Sequence, residues 1–269
     1  MAYSYLKKIK PVQILAFNIN LETVQHKALN AINNYYLKYI PDNRPAFHDI
    51  AETCPELLAF DTNYETIKEE LESIISRPDK IPKYAEIDEV QAYISGEIYN
   101  DTIKENEAWK VFMLYLMGQT LNENQSLCRK TSKILNSIPN LFQAFFSVLE
   151  GGKSILSHKG PYLGYLRYHI GMIVPKNDPP TLLVDGIPYT WSEGNSVMFD
   201  DTLEHEVINN CSERRVILIV DILRPLPLVP HCINWLITRL IIKNIYARKL
   251  LKNLNKFKNQ SMAMKTIAR

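Results

Sequence analysis

The sequence predicts an α+β fold in which an antiparallel all-β core lies between N-terminal helices and a C-terminal amphipathic helix. From Leu141 onward, short runs rich in Val, Ile, Tyr and Phe are bounded by Gly, Pro, Asn and Asp, as in strands joined by turns. On either side of that region, apolar residues recur at the spacing of helices. The 269 residues are 46% hydrophobic and 22% charged, which is enough material for a sizeable core.

The N-terminal third is predicted to be mainly helical. Residues 20–40 and 63–77 each place apolar residues on one face, and Pro41 and Pro78 end these helices. A Glu-rich segment follows to about residue 107. The apolar run from Ala108 to Met117 fits either a buried strand or a helix, because periodicity alone does not separate the two.

The middle of the chain contains eight strand-like segments with no helical pattern between them. This arrangement predicts a compact antiparallel sandwich or barrel, and Asp185-Gly186 predicts a hairpin turn between two of the segments. The segments are Ala144 to Leu149, Ser154 to Leu156, Tyr165 to Val174, Thr181 to Val184, Ile187 to Trp191, Asn195 to Phe199, Glu206 to Asn209 and Val216 to Ile222.

The C-terminal region differs from the rest in charge. The last acidic residue is Asp221, and ten of the 31 Lys and Arg follow it, so the preceding chain holds 21 basic and 29 acidic residues. Residues 231–258 have helical periodicity with Lys and Arg among the polar positions. This predicts a basic amphipathic helix that either packs on the core or contacts an anionic membrane surface. The acidic body does not favour nucleic acid as a partner.

We therefore divide the chain into a helical N-terminal region packed on the core (1–108), a β core (109–225) and a basic tail (226–269). The four cysteines have no paired spacing, and no apolar run of about 18 residues occurs. These features predict a cytoplasmic protein, with peripheral contact at the inner membrane face left open. The oligomeric state is not predicted.

Three of the six histidines, His158, His169 and His205, lie near strand ends in the β region. A single histidine there is usually a packing or surface residue, but two imidazoles from different strands can converge on one divalent ion. We place His158 at the start of a strand and His205 in the loop before the strand that begins at Glu206. No HExxH or HxH spacing supplies the third ligand that a zinc hydrolase needs.

The run from Phe146 to Pro225 resembles the catalytic domain of the aspartyl/asparaginyl β-hydroxylase family of Fe(II)- and 2-oxoglutarate-dependent dioxygenases. The matching segments, in order, are FSVLEGGKSILSHKGPYLGYLRYHIGMIVP, YTWSEGNSVMFDDTLEHEV and ERRVILIVDILRP, and WKVFMLYLMG with IPNLFQAFFS extends the likeness to Trp109. The resemblance implies a double-stranded β-helix core of the jelly-roll or cupin-like type. It also implies hydroxylation of an aliphatic C–H group with Fe(II), 2-oxoglutarate and O2.

By this resemblance, His158 and His205 would hold the iron. Most 2-oxoglutarate oxygenases have an Asp or Glu two residues after the first histidine, where this chain has Gly160, and the hydroxylase family shares that departure. Asp201 would then hydrogen-bond a metal-bound water from outside the ligand set. A turn or capping role for Asp201 remains open.

The resemblance also assigns side chains to 2-oxoglutarate. Arg215 matches the position that binds the distal carboxylate, for which a planar guanidinium is suited. Arg167 and His169 alternate on one strand and so share a face, and the family uses both near 2-oxoglutarate. Ser147 and Trp109 match the remaining contacts, although a strand serine and a core tryptophan account for them equally well.

The resemblance implies the β-carbon of Asp or Asn in a peptide or protein as the first substrate class. Two alternatives stay open: a lipid A acyl-chain hydroxylase acting at the cytoplasmic membrane face, and a non-catalytic β-barrel binding module with structural histidines. The joint presence of His158, His205, Arg167, His169 and Arg215 argues against the binding module, because a decayed site would not be expected to keep them together.

Overall fold

The computed structural model describes residues 27–77, 80–88, 92 and 109–267, and their side chains as far as residue 263. The chain divides into two compact units, Met1–Asp42 and Asn43–Arg269. In the first unit, residues 27–36 form helix α1, within the predicted helix at 20–40. The first seven residues of that prediction, and most of the Glu-rich segment before residue 108, lie outside the described residues. All other elements belong to the second unit.

Short helices lie before the core strands and among the first of them, and their apolar residues join the hydrophobic cluster of the core. Helix α4 corresponds to the predicted helix at 63–77 and buries Ile67, Leu71 and Ile74, which are spaced by one helical turn. The helices are α2 (Ile50–Thr53), α3 (Leu58–Thr62), α4 (Tyr64–Ile75), α5 (Tyr84–Ile87), α6 (Asn122–Gln125) and α7 (Arg129–Leu135).

Every one of the eight predicted strand segments is a strand, with ends shifted by three residues at most. The run from Ala108 to Met117, which fitted a strand or a helix, is the strand β2. The strands are β1 (Phe47–His48), β2 (Trp109–Leu116), β3 (Gln119–Thr120), β4 (Leu141–Leu149), β5 (Ile155–His158), β6 (Tyr165–Ile173), β7 (Thr181–Val184), β8 (Ile187–Thr190), β9 (Ser196–Phe199), β10 (His205–Ile208) and β11 (Arg215–Leu223).

These strands form two antiparallel sheets. The large sheet has the order β1-β9-β6-β11-β4-β2-β3, and the small sheet has the order β5-β10-β7-β8. From β4 to β11 the chain passes back and forth between the sheets, with the β7–β8 hairpin as the midpoint. This strand order is that of a double-stranded β-helix, which confirms the predicted fold.

The alternation of side chains along the strands of the large sheet separates two environments. On β11, the residues Val216, Leu218, Val220 and Ile222 join the hydrophobic cluster that also includes the apolar residues of α4. The intervening positions carry Arg215 at the start of the strand and Asp221 near its end. Because side chains alternate between the faces of a strand, these charged residues point to the opposite face, inside the barrel.

The tail is one long helical segment docked on the core. It consists of α8 (Leu228–Leu236), a wider π-helical stretch (Ile237–Ala247) and α9 (Arg248–Ile267). Asn234 accepts a hydrogen bond from Tyr162, Tyr246 donates one to Asp88, and the Asn253 amide donates to a backbone carbonyl. The structure therefore has the tail packed on the core. In the described part of the chain, no helix combines the length and the apolar character that crossing a bilayer requires.

Candidate active site

His158 and His205 face each other across two neighbouring strands. They are direct partners in the antiparallel pairing of β5 and β10, and their ring centroids are 4.2 Å apart. The positions within the strands differ from the prediction: His158 is the last residue of β5, and His205 is the first residue of β10. The reason is that the pairing of β5 with β10 continues past the apolar residues on which the prediction relied.

Backbone carbonyls fix the orientation of both imidazole rings. The Nδ1 atom of His158 lies 2.7 Å from the carbonyl oxygen of Leu156, and the Nδ1 atom of His205 lies 3.0 Å from that of Leu203. A ring that donates from Nδ1 keeps the lone pair on Nε2 for a metal ion. Burial lowers the pKa of both histidines to about 4, so both rings are neutral at pH 7, as metal ligation requires.

Asp201 occupies the space that a side chain at residue 160 would need. The amide of Gly160 donates to the backbone carbonyl of Asp201 at 2.7 Å, and a Cβ added to Gly160 would lie 2.5 Å from the Asp201 Oδ1 atom. A side chain at residue 160 would therefore require Asp201 to shift, and the carboxylate beside this position comes from Asp201. Among the residues that the structure describes, no group of three or more His, Cys, Asp or Glu side chains is arranged to hold a metal ion.

The two carboxylate oxygens of Asp201 differ in their contacts. Oδ2 accepts a hydrogen bond from the Tyr165 hydroxyl at 2.6 Å and lies 3.3 Å from Nη1 of Arg167. Oδ1 is buried and, within the described residues, has no hydrogen-bond partner. Burial raises the pKa of Asp201, against the opposing effect of the Arg167 charge. One oxygen is thus anchored while the other remains available as an acceptor.

Arg167 is held by a second acid that the sequence analysis did not identify. Its Nε and Nη2 atoms donate to both oxygens of Asp221, at 2.8 and 3.0 Å, from the neighbouring strand β11. The forked edge of this guanidinium is therefore already occupied, and its remaining Nη1 contact goes to Asp201. The sequence did carry a signal for Asp221, because an acidic residue inside the apolar run VILIVDIL needs a buried partner.

Arg215 differs from Arg167 because it lacks an acidic partner in the described structure. Only 1% of its surface is exposed, and its Nε and Nη2 atoms make no hydrogen bond. Its guanidinium lies over the ring of Trp191, 4.7 Å from the ring centroid. Burial lowers the pKa of Arg215 to about 9, which reflects the cost of a charge without a counter-charge.

Further unpaired polar atoms lie beside Arg215. Both ring nitrogens of His169 and the indole Nε1 of Trp191 are buried and have no hydrogen-bond partner among the described residues. The His169 ring stacks on Trp191 at 5.9 Å and meets Phe199 edge-on at 4.9 Å. Burial and then the charges of Arg167 and Arg215 lower the pKa of His169 well below its usual value. A buried cation surrounded by unpaired N–H groups is an environment suited to an anion.

Ser147 and Trp109 lie side by side and hydrogen-bond to each other. The Trp109 Nε1 atom donates to the Ser147 hydroxyl at 2.9 Å, and both side chains are buried. Ser147 opposes Ile217 on β11, two residues along the strand from Arg215. Their predicted contacts with 2-oxoglutarate stay a prediction. Trp191 is the residue of this pocket that the sequence analysis missed, since no local pattern indicates which strand-end aromatic stacks on an arginine.

Comparison with known proteins identifies similar sequences. Residues 61–225 match the family model described as aspartyl/asparaginyl beta-hydroxylase. An ornithine lipid ester-linked acyl 2-hydroxylase from Rhizobium tropici is 34% identical over 81% of this chain and 74% of its own length. The human aspartyl/asparaginyl beta-hydroxylase is 31% identical over 47% of this chain and 17% of its own length. A predicted oxalate decarboxylase from Thermotoga maritima, a solved structure, is 14% identical with a TM-score of 0.29, over 43% of this chain and 81% of its own.

Proposed function

Because the chain belongs to the aspartyl/asparaginyl β-hydroxylase family, we propose that it is an Fe(II)- and 2-oxoglutarate-dependent dioxygenase that hydroxylates an aliphatic C–H group. Bound Fe(II) would supply the oxidation of that C–H group, with O2 and 2-oxoglutarate as co-reactants. The side chains of this protein would bind and orient the reactants and exclude water.

The pair of imidazoles is suited to hold the ion. The rings of His158 and His205 lie 4.2 Å apart, centroid to centroid, and both are neutral at pH 7. Imidazole suits iron, and a site with two protein ligands leaves positions open for a co-reactant and for O2. A closed structural zinc site would instead need four protein ligands.

The observation that carries the proposal is the buried, unpaired guanidinium of Arg215. A buried charge without a partner is costly, and a small dicarboxylate would remove that cost by accepting two parallel hydrogen bonds. The neighbouring N–H groups of His169 and Trp191 would donate to the same anion. 2-Oxoglutarate has the chemistry for this role, because its distal carboxylate would pair with the arginine while its 2-oxo acid end would bind the metal.

Asp201 would complete the site as a hydrogen-bond acceptor. Tyr165 and Arg167 hold its Oδ2 atom, and its unpaired Oδ1 atom lies beside Gly160, the position where related enzymes place a metal-binding carboxylate. We assign Asp201 the orientation of the third, non-protein ligand of the metal. In this scheme Asp221 acts indirectly, since it fixes the fork of Arg167.

We propose a lipid acyl chain as the substrate class. The supporting observation is coverage, because the acyl 2-hydroxylase from Rhizobium tropici aligns with 81% of this chain and the human β-hydroxylase with 47%. The second candidate is the β-carbon of Asp or Asn in a peptide or protein, which the description of the matching family favours.

An anaerobic titration tests the cofactor assignment. Addition of Fe(II) and then 2-oxoglutarate should produce the weak visible absorption band of a metal-to-cosubstrate charge transfer. His158→Ala should abolish the band because the metal is not held. Arg215→Ala should keep the metal but weaken 2-oxoglutarate binding about 100-fold, the effect of removing one partner of a buried charged pair.

Arg214 provides the matched control. It precedes Arg215 in the chain, but its side chain is 42% exposed and pairs with Glu150. Arg214→Ala should leave 2-oxoglutarate affinity unchanged. The assignment would be contradicted if the Arg215→Ala protein bound 2-oxoglutarate as tightly as the wild type does, or if the wild type gave no absorption band. Mass spectrometry of ornithine lipid, lipid A and Asp-containing peptides for one added oxygen atom then decides between the two substrate classes.

A further inference from the structure

The first half of the tail exposes a row of large apolar side chains along the sequence. Seven of the fourteen large hydrophobic residues that are exposed in the described part of the chain fall within residues 228–245, and they are 45–78% exposed. The other seven are separated along the sequence and are Leu37, Tyr39, Leu58, Leu156, Ile187, Ile208 and Met262. We call this row the apolar ridge; it consists of Leu228, Val229, Trp235, Leu236, Leu240, Ile241 and Ile245.

The ridge is separate from the face of the tail that packs on the core. The same helical segment already buries its other face through Asn234, Thr238, Ala247, Leu250 and Leu254. The tail is thus docked on one side and presents the ridge on the other. A concentration of exposed apolar surface on a folded chain marks an interaction site.

Cations border the ridge. The guanidinium of Arg239 lies over the Trp235 ring, 5.8 Å from its centroid, and Arg248, Lys249 and Lys252 continue the exposed face beyond Ile245. The sequence has no acidic residue after Asp221. An apolar strip bordered by Arg and Lys of the same helix has the chemistry of a helix that lies in the surface of an anionic bilayer.

We infer that the ridge and its bordering cations form a docking surface for an anionic lipid bilayer. A second copy of this chain is a poorer partner, because a two-fold contact would bring the same cations together across the interface with no acidic residue of the tail to balance them. The chain before the tail holds 29 acidic and 22 basic residues, so the positive charge that an anionic surface attracts is concentrated in the tail.

The docked face of the tail is connected to the loop that follows His158. Asn234 accepts a hydrogen bond from the Tyr162 hydroxyl at 2.5 Å and donates one to the Gly164 carbonyl at 2.7 Å. Tyr162 follows His158 by only four residues, which limits their Cα separation to about 14 Å. Membrane docking through the ridge would therefore bring the loop after His158 close to the lipid. This consequence rests on the proposed function, whereas the docking itself does not.

Vesicle co-sedimentation of the full chain, without iron or 2-oxoglutarate, tests the inference. The wild type should bind vesicles of phosphatidylcholine and phosphatidylglycerol, bind phosphatidylcholine vesicles weakly, and dissociate with added salt. Lys249→Gln with Lys252→Gln should lower the partition coefficient about 25-fold, or fivefold per lysine. Leu240→Ser with Ile241→Ser should lower it about tenfold or more.

Matched pairs elsewhere on the surface provide the controls. Lys130→Gln with Lys133→Gln removes two exposed charges, and Leu58→Ser with Ile187→Ser removes two exposed apolar side chains. Both double variants should bind as the wild type does, and all variants should keep the wild-type circular dichroism. His158→Ala should also bind normally, which distinguishes surface docking from capture of a lipid in the active site and keeps this test separate from the cofactor titration.

Three outcomes would overturn the inference. The first is equal binding to neutral and anionic vesicles. The second is unchanged binding by the ridge variants. The third is a concentration-dependent dimer in sedimentation velocity that Leu240→Ser with Ile241→Ser dissociates, without vesicle binding by the wild type; the ridge would then be an interface between two copies of the chain.

Discussion

Asp200 and Asp201 are neighbours after β9 and are almost equally buried, yet their surroundings differ. Asp200 accepts from Arg44 at 2.9 Å, from Arg224 at 2.7 Å and from Thr202. Burial alone would raise the pKa of Asp200, but Arg224 and Thr202 outweigh it and the pKa is lowered. In Asp201, burial outweighs Arg167 and the pKa is raised.

The buried side chains of Arg224 and Arg215 differ in the same way: the first has acidic and carbonyl partners, and the second has none among the described residues. Arg224 donates to Asp200 and, through Nε, to the Leu163 carbonyl at 2.7 Å. Arg215 has no such contacts among the described side chains, only the ring of Trp191. Buried Asp and Arg side chains therefore stabilise the fold where their hydrogen bonds are complete, and they form a candidate ligand site where these bonds are not complete.

The largest expected effect on stability is in the cluster of Asp200 with Arg44, Arg224 and Thr202, where the hydrogen bonds of the carboxylate are complete. Asp200→Asn should lower the free energy of unfolding by about 3 kcal/mol, because it leaves Arg44 and Arg224 with less negative charge in a buried setting. Since the folded pKa of Asp200 is lowered, its contribution is present above the unfolded pKa of about 4 and is lost as the pH falls through the folded value. Urea denaturation at pH 7 and pH 5 should therefore give the same loss. A variant as stable as the wild type would mean that the cluster is not structural.

Gly160 tests the fit of Asp201 against the loop after His158. Gly160→Ala should lower the free energy of unfolding by about 2 kcal/mol, because the new Cβ overlaps the Asp201 carboxylate. The loss should shrink when Asp201→Ala is present as well, since the overlapping group is gone. A double-mutant cycle measures this coupling. Additive effects would indicate that the two residues are not in contact.

Arg215 should behave in the opposite way to Arg224. Arg215→Met should raise the free energy of unfolding by about 1 to 2 kcal/mol, because an unpaired buried cation is replaced by an apolar side chain of similar length. Arg224→Met should lower it, since Asp200 loses a partner. Thermal denaturation of both variants is the measurement. A loss of stability in the Arg215 variant would mean that this guanidinium has partners that stabilise the fold.

Most of the fold was predictable because its signals are local. Alternating β-branched and aromatic residues with Gly, Pro and Asn turns marked all eight core strands, and helical spacing marked α4. The ends of β5 were less predictable, because Ser157 and His158 are in the strand only through their pairing with β10. No sequence pattern indicated that the helix of the tail widens to a π-helix at Ile237–Ala247.

The candidate site was predictable only in part. The two histidines and Arg215 were identified through the resemblance to the hydroxylase family, and the structure brings the histidines together. Asp201, Arg167 and His169 were also named, but Asp221, Tyr165 and Trp191 were missed because contacts between strands depend on their register, which cannot be read from one sequence. Asp221 opposes Arg167 only when β6 and β11 pair in the observed register.

The smallest expected effect on the free energy of unfolding is that of Asp201→Asn, and it has the opposite sign to the effect of Asp200→Asn. Because burial raises its folded pKa, ionisation of Asp201 destabilises the native state as the pH rises through that window. Asn cannot ionise, and its carbonyl can still accept from Tyr165, so Asp201→Asn should raise the free energy of unfolding by about 1 kcal/mol at pH 7. Cobalt(II) titration should show retained metal binding, because both imidazoles remain, while turnover of 2-oxoglutarate falls about 10- to 100-fold. A loss of stability together with normal turnover would place Asp201 with Asp200 among the structural residues, and the distinction between the two neighbouring aspartates would fail.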